Sequence, residues 1–160
     1  MTPSLPPIGL IGLGNAGLAL AEPLTSQYRV IGHDLDAARH APARAVGVQV
    51  AASGREVADA CPVILLSLPT PRASLAAAGA LAEGALDGRL LVETSTVAPS
   101  DVLQLQAQLQ AHGASVMDAA IIGGVHKLAA GRSTNMAPLA CQRLLKSVLG
   151  RGSADMAFLP

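Results

Sequence analysis

Tryptophan is absent, and Tyr28 and Phe158 are the whole aromatic supply of 160 residues. A core made without aromatics must be built from Leu, Val, Ile, Ala and Met, as a layered α/β domain can be. Charge is also scarce. Charged residues make up 14% of the chain and hydrophobic ones 51%, which excludes a disordered polypeptide and suits one domain with a full core. The 11 basic and 11 acidic residues balance, so no basic field points to nucleic acid or an anionic membrane. Cys61 and Cys141 form no metal-type spacing, and reduced thiols in a cytoplasmic protein are expected. His33, His40 and His112 are scattered singly and suggest no metal cluster. From Met1 to Ala21 there is no charged side chain, so the basic leader of a secretory signal is missing. Pro3, Pro6, Pro7 and the glycines of that stretch also make it a poor membrane helix.

What is present begins at Ile8. The apolar run Ile8-Gly9-Leu10-Ile11 leads into Gly12-x-Gly14-x-x-Gly17, and helix-forming residues follow. The pattern reads as strand, tight turn and helix start. In that reading Gly12 permits the turn, Gly14 lets a pyrophosphate approach the backbone, and Gly17 lets the helix pack closely on the strand. Unpaired N–H groups in the helix's first turn favour an anion. A second strand, Tyr28 to His33, ends at Asp34, which lies 22 residues after Gly12. That is close to the gap of about 20 residues expected for the acidic group that holds a ribose hydroxyl.

The remainder alternates helix and strand. A helix over Asn15 to Ser26 should be kinked or ended early by Pro23. Asp36 is a plausible N-cap for a helix through Arg39, limited by Pro42. Val46 to Ala51 is a third strand, and Ser53 to Glu56 opens a helix as a capping box. Pro62 to Leu68 is the most hydrophobic run and predicts a central strand buried on both faces, followed by a Pro69-Thr70-Pro71 loop. Arg72 to Glu83 is an Ala-rich helix, Arg89 to Glu93 a fifth strand, and Pro99 to Ala111 a helix with proline in its first turn. Ser115 to Ile122 is a sixth strand, Pro138 to Leu149 a last helix, and Ala154 to Leu159 a final short strand. This alternation predicts a Rossmann-type, doubly wound, mostly parallel sheet with helices on both faces, spanning residues 1–160 as one dinucleotide-binding domain.

Four runs give the sequence a family likeness: Gly9 to Gly17, Leu66-Ser67-Leu68-Pro69-Thr70, Val92 to Pro99, and Asp118-Ala119-Ala120-Ile121-Ile122-Gly123-Gly124. In order and spacing they resemble the nucleotide-binding domain of the β-hydroxyacid dehydrogenases, the group of 3-hydroxyisobutyrate and 6-phosphogluconate dehydrogenases. The resemblance implies hydride transfer between a nicotinamide cofactor and a small 3-hydroxy acid. It implies that Gly12, Leu13, Gly14, Asn15, Ala16 and Gly17 hold the pyrophosphate and Asp34 the adenine ribose. Leu68 and Pro69 would line the adenine and ribose side. Thr96 would lie near nicotinamide and substrate, and Ile122, Gly123 and Gly124 by a substrate carboxylate.

The chain also departs from the family pattern. Ile122 stands where the family usually has a serine, and Lys127 where it has a glycine. The family's catalytic lysine and the asparagine after it have no counterpart, so the C-terminal helical domain is expected to be absent. His126 and Lys127 are then either a basic pair facing the carboxylate site, and so candidate catalytic residues, or an exposed loop pair. NAD is expected over NADP because Asp34 would repel a 2′-phosphate, although Arg39 could reach one. Three functions remain open. They are an oxidoreductase domain, a non-catalytic or truncated dinucleotide-binding module, and an imine or carbonyl reductase domain. A homo-oligomer, or a partner chain supplying the missing domain, is compatible with each.

Overall fold

The computed structural model describes residues 5–122 and 134–135. Strands β1 (Ile8–Ile11), β2 (Val30–His33), β3 (Gln49–Val50), β4 (Val63–Leu66), β5 (Leu90–Glu93) and β6 (Ser115–Asp118) form one sheet in the order β3-β2-β1-β4-β5-β6. Every pairing in it is parallel. The chain winds outward from β1 to β3, then crosses back to start the other half at β4. The strand order therefore reverses between β1 and β4, which leaves a crevice above their carboxyl ends. This is the expected doubly wound architecture, and the main sheet is parallel throughout.

Alternation along each strand sorts the core into two layers. Ile8 and Leu10, Val30, Val63 and Leu65 pack under α1 (Asn15–Thr25) and α2 (His40–Ala45). Ile11, Ile31, Ile64, Leu66 and Leu91 pack under α3 (Gly54–Ala60), α4 (Pro71–Leu81) and α5 (Pro99–Gln110). All four residues of β4 are buried, as the unbroken apolar run from Pro62 predicts for a strand covered on both faces.

Several boundaries differ from expectation, each for a local reason. Helix α1 runs through Pro23 to Thr25 instead of stopping. The proline removes one hydrogen bond near the helix end. The hydroxyls of Thr25 and Ser26 then donate to the carbonyls of Glu22 and Pro23, at 3.1 and 2.7 Å. Pro42 falls in the first turn of α2, where its missing N–H is not needed, and a 3₁₀ turn (Ala37–Arg39) capped by the Asp36 side chain precedes it. Helix α4 begins at Pro71 rather than after it. Thr70 is its N-cap, with the hydroxyl accepting from Ala73 N–H at 3.2 Å. At α3 the Ser53 hydroxyl accepts from Glu56 N–H, but Glu56 reaches back to Ala52 N–H rather than to Ser53.

The expected sixth strand is two strands. β6 ends at Asp118, opposite Glu93, because its partner β5 ends there. The chain then turns, and β7 (Ile121–Ile122) pairs antiparallel with β8 (Thr134–Asn135) in a separate two-stranded sheet. The expected third strand shrinks to the two residues of β3 at the sheet edge. The helix expected over Pro138 to Leu149 and the strand over Ala154 to Leu159 lie outside the described residues. No helix among the described residues is long and apolar enough to cross a membrane.

Candidate functional site: the crevice at the strand reversal

The turn between β1 and α1 is folded around two backbone contacts. Gly12 has φ +94°, and a Cβ there would fall on the carbonyl oxygen of Ser67 at the end of β4. A Cβ on Gly17 would fall on the carbonyl oxygen of Gly12. The first and third glycines thus let turn, helix and neighbouring strand close on one another. Gly14 differs: a Cβ there would meet nothing within 4 Å. Its open side faces a cavity.

That cavity, about 800 Å³, lies above the carboxyl ends of β1 and β4. Gly12, Gly14, Asn15 and Ala16 line it from the glycine turn, and His33 to Asp36 with Arg39 from the end of β2. Ser67, Leu68 and Pro69 line it after β4, and Thr94, Ser95 and Thr96 after β5. Helix α1 opens into it without a side-chain cap at Gly14 and without an acidic residue in its first turn. The N–H groups at that end, with the positive end of the helix dipole, are available to an anion.

Asp34 both lines the cavity and ties the turn down. One carboxylate oxygen accepts from Leu13 N–H at 2.7 Å, and the other from Asp36 N–H at 2.9 Å. Each oxygen keeps a further lone pair for a ligand hydroxyl. The backbone carbonyl of Asp34 is bonded to His40 Nε2 at 2.9 Å, which holds the segment from behind. Arg39 is paired with Asp36 at 3.6 Å, and Leu35, just before Asp36, is 96% exposed at the cavity lip.

Of the residues singled out from the sequence, Gly12, Gly14, Asn15, Ala16, Asp34, Leu68, Pro69 and Thr96 come together around this one cavity. Leu13 and Gly17 do not line it. Leu13 is a fully buried core side chain that offers only its backbone N–H to Asp34, and Gly17 packs beneath Gly12. Ile121 of β7 also lines the wall, and the side chain of Ile122 lies outside the described residues. Gly123, Gly124, His126 and Lys127 lie outside the described residues. Sequence reading missed one wall altogether, formed by Ala73, Ala76, Ala77 and Ala80 of α4. Their spacing puts four methyl groups on one helical face, a signal hidden inside a segment read only as Ala-rich.

Sheet order, glycine turn and crevice together define a dinucleotide-binding α/β domain. Residues 7–146 match the family described as the NAD binding domain of 6-phosphogluconate dehydrogenase, and the chain belongs to that family. It is an NAD-binding domain of the hydroxyacid dehydrogenase type. Rat mitochondrial 3-hydroxyisobutyrate dehydrogenase is 33% identical over 134 residues, which are 81% of this chain and 40% of that protein. A 3-hydroxyisobutyrate dehydrogenase from Mycobacterium tuberculosis, solved with L-serine, superposes with TM-score 0.82 and 27% identity over 91% of this chain and 51% of its own. An imine reductase from Myxococcus stipitatus, solved with NAD+, shares the fold at TM-score 0.79 and 21% identity, over 90% of this chain and 51% of its own. The chain therefore spans about half or less of the length of these relatives, and the resemblance read from the four sequence runs is borne out.

Proposed function

We propose that the crevice holds NAD as the nucleotide half of a dehydrogenase that acts on a small, carboxylate-bearing 3-hydroxy acid. The observation that carries this reading is the uncapped end of α1, which opens at Gly14 into the same cavity that Asp34 lines. In this reading the first-turn N–H groups of α1 bind the pyrophosphate, and Asp34 accepts from the adenine ribose hydroxyls with its remaining lone pairs. Leu68 and Pro69 line the adenine and ribose side, and Thr96 stands near the nicotinamide. When bound, the cofactor supplies hydride transfer. NAD is preferred to NADP because a 2′-phosphate would meet the Asp34 carboxylate. The one guanidinium among the described lining residues, Arg39, is paired with Asp36.

Proton exchange with the substrate hydroxyl needs a group within hydrogen-bond reach of it. We assign that group to a helical domain or partner chain that completes the site, as the family resemblance implies. Gly123 and Gly124 are kept as substrate contacts, and His126 and Lys127 as secondary candidates. A cytoplasmic setting belongs to the same reading and is supported by the free thiol of Cys61.

The test is titration of the chain with NADH, followed by the fluorescence of the reduced cofactor. Ala16→Glu places a carboxylate in the first turn of α1 at an exposed position. It should stabilise the free chain by about 0.3–1 kcal/mol through the helix dipole, yet abolish NADH binding. Undiminished binding in that variant would refute the placement of the pyrophosphate.

A further inference from the structure

Glu93 is the last residue of β5, only 1% exposed, and does not line the cofactor cavity. Its Oε1 accepts from the backbone N–H of Ser95 at 2.9 Å. The Ser95 hydroxyl oxygen in turn accepts from Leu68 N–H at 3.1 Å. The intervening Thr94 hydroxyl donates to the Leu66 carbonyl at 2.7 Å, in a buried bond. One carboxylate therefore begins a chain of contacts joining the loop after β5 to the loop after β4. Both loops form cavity wall, through Ser95 and Thr96 on one side and Leu68 and Pro69 on the other.

The other carboxylate oxygen makes this arrangement costly. Glu93 Oε2 and the Ser74 hydroxyl are both buried without a hydrogen-bond partner, and both residues line a second cavity too small for a water molecule. That gap also touches Pro71 in the first turn of α4 and Asp101 in the first turn of α5. The carboxylate is thus wedged beside the first turns of α4 and α5 while half of its accepting capacity goes unused. An apolar side chain would fill the same space without an orphaned oxygen, but it could not hold Ser95.

We propose that Glu93 is a positioning residue for the nicotinamide end of the site, fixing through the Ser95 N–H the loop after β5 that carries Thr96. This rests on the reading of the cavity as the NAD site. The side chain touches no ligand itself. Its influence should fall on the nicotinamide half of the cofactor and spare the adenine half, which Asp34 and α1 hold.

The test compares the full chain with Glu93→Ala and Glu93→Gln, using NADH and ADP-ribose as probes. Glu93→Ala should weaken NADH by about tenfold, because the loop that carries Thr96 loses its fixed position, while ADP-ribose stays within about twofold. Glu93→Gln keeps an acceptor for Ser95 N–H and should restore NADH affinity to within about twofold of wild type. Equal losses for both probes, or a Gln variant as impaired as the Ala variant, would reduce Glu93 to a general structural role and overturn the proposal. Amide hydrogen exchange of the cofactor-free wild type supplies a readout independent of ligand binding and of whether Glu93→Ala folds. The N–H groups of Ser95 and Leu68 should both be protected, and rapid exchange at either would refute the linkage. Failure of the wild type to bind NADH would sink the cofactor reading, with the exchange data still deciding whether Glu93 fixes the loop.

Discussion

The carboxylate of Asp34 accepts a 2.7 Å hydrogen bond from the backbone N–H of Leu13, 21 residues earlier in the chain. The acidic residue at the end of β2 therefore holds the glycine turn in place before any ligand arrives. Two tasks, shaping the turn and meeting a ribose in the proposed cofactor site, then fall on one side chain. Substitutions at Asp34 should move stability and cofactor choice together.

Asp34→Ala frees the N–H groups of both Leu13 and Asp36 and removes the negative charge. It should lower the unfolding free energy by about 1–2 kcal/mol, since the lost bonds are charge-assisted but partly solvated. It should also bring the affinities for NADH and NADPH to within about threefold of each other. Urea unfolding and paired fluorescence titrations measure the two effects. An unchanged NADH preference would remove Asp34 from cofactor selection.

Gly14 and Gly17 of the turn should separate cleanly. A methyl group at Gly17 would collide with the Gly12 carbonyl, so Gly17→Ala should cost about 3 kcal/mol or prevent folding. Gly14→Ala adds its methyl to open space at a backbone conformation any residue adopts, φ −72° and ψ −170°. Its stability should stay within about 0.5 kcal/mol of wild type. Its NADH affinity should nevertheless fall, because that methyl intrudes on the proposed pyrophosphate position. Thermal melts with and without NADH distinguish the two variants.

Burial pushes the Cys61 thiol up from its ordinary value of 9.0 to about 11, against the opposing pull of the Arg29 and Arg89 charges. Burial also raises Tyr28. The folded chain then holds the thiol proton more tightly than the unfolded chain does. The resulting stability is fully present below pH 9 and drains away as pH rises from 9 to 11. Urea midpoints measured across that window should fall for the wild type and fall less steeply for Cys61→Ala.

The sequence made the frame legible because the frame is written in local patterns. The all-apolar β4 announces a central strand, and the spacing from Gly12 to Asp34 announces the crevice. What it hid was contact at long range. Nothing local shows that Asp34 reaches Leu13, that the Ser95 hydroxyl meets Leu68 N–H, or that four alanines of α4 become a cavity wall. The break between β6 and β7 was hidden for the same reason. The run from Ser115 to Ile122 has strand character throughout, and only the end of its partner β5 at Glu93 decides where pairing stops. Pro23 misled in the other direction, since the helix continues through it to Thr25, where the hydroxyls of Thr25 and Ser26 satisfy carbonyls of the last turn.

Tyr28 is the only tyrosine of a chain without tryptophan, and its ring is buried in the core layer beneath α1. Excited at wavelengths that phenylalanine does not absorb, the polypeptide therefore emits from one known place, which does not line the crevice. A reduced nicotinamide emits in the visible and reports on the crevice alone. The molecule thus offers two separate optical channels, one for the integrity of the core and one for occupancy of the site, without an introduced label.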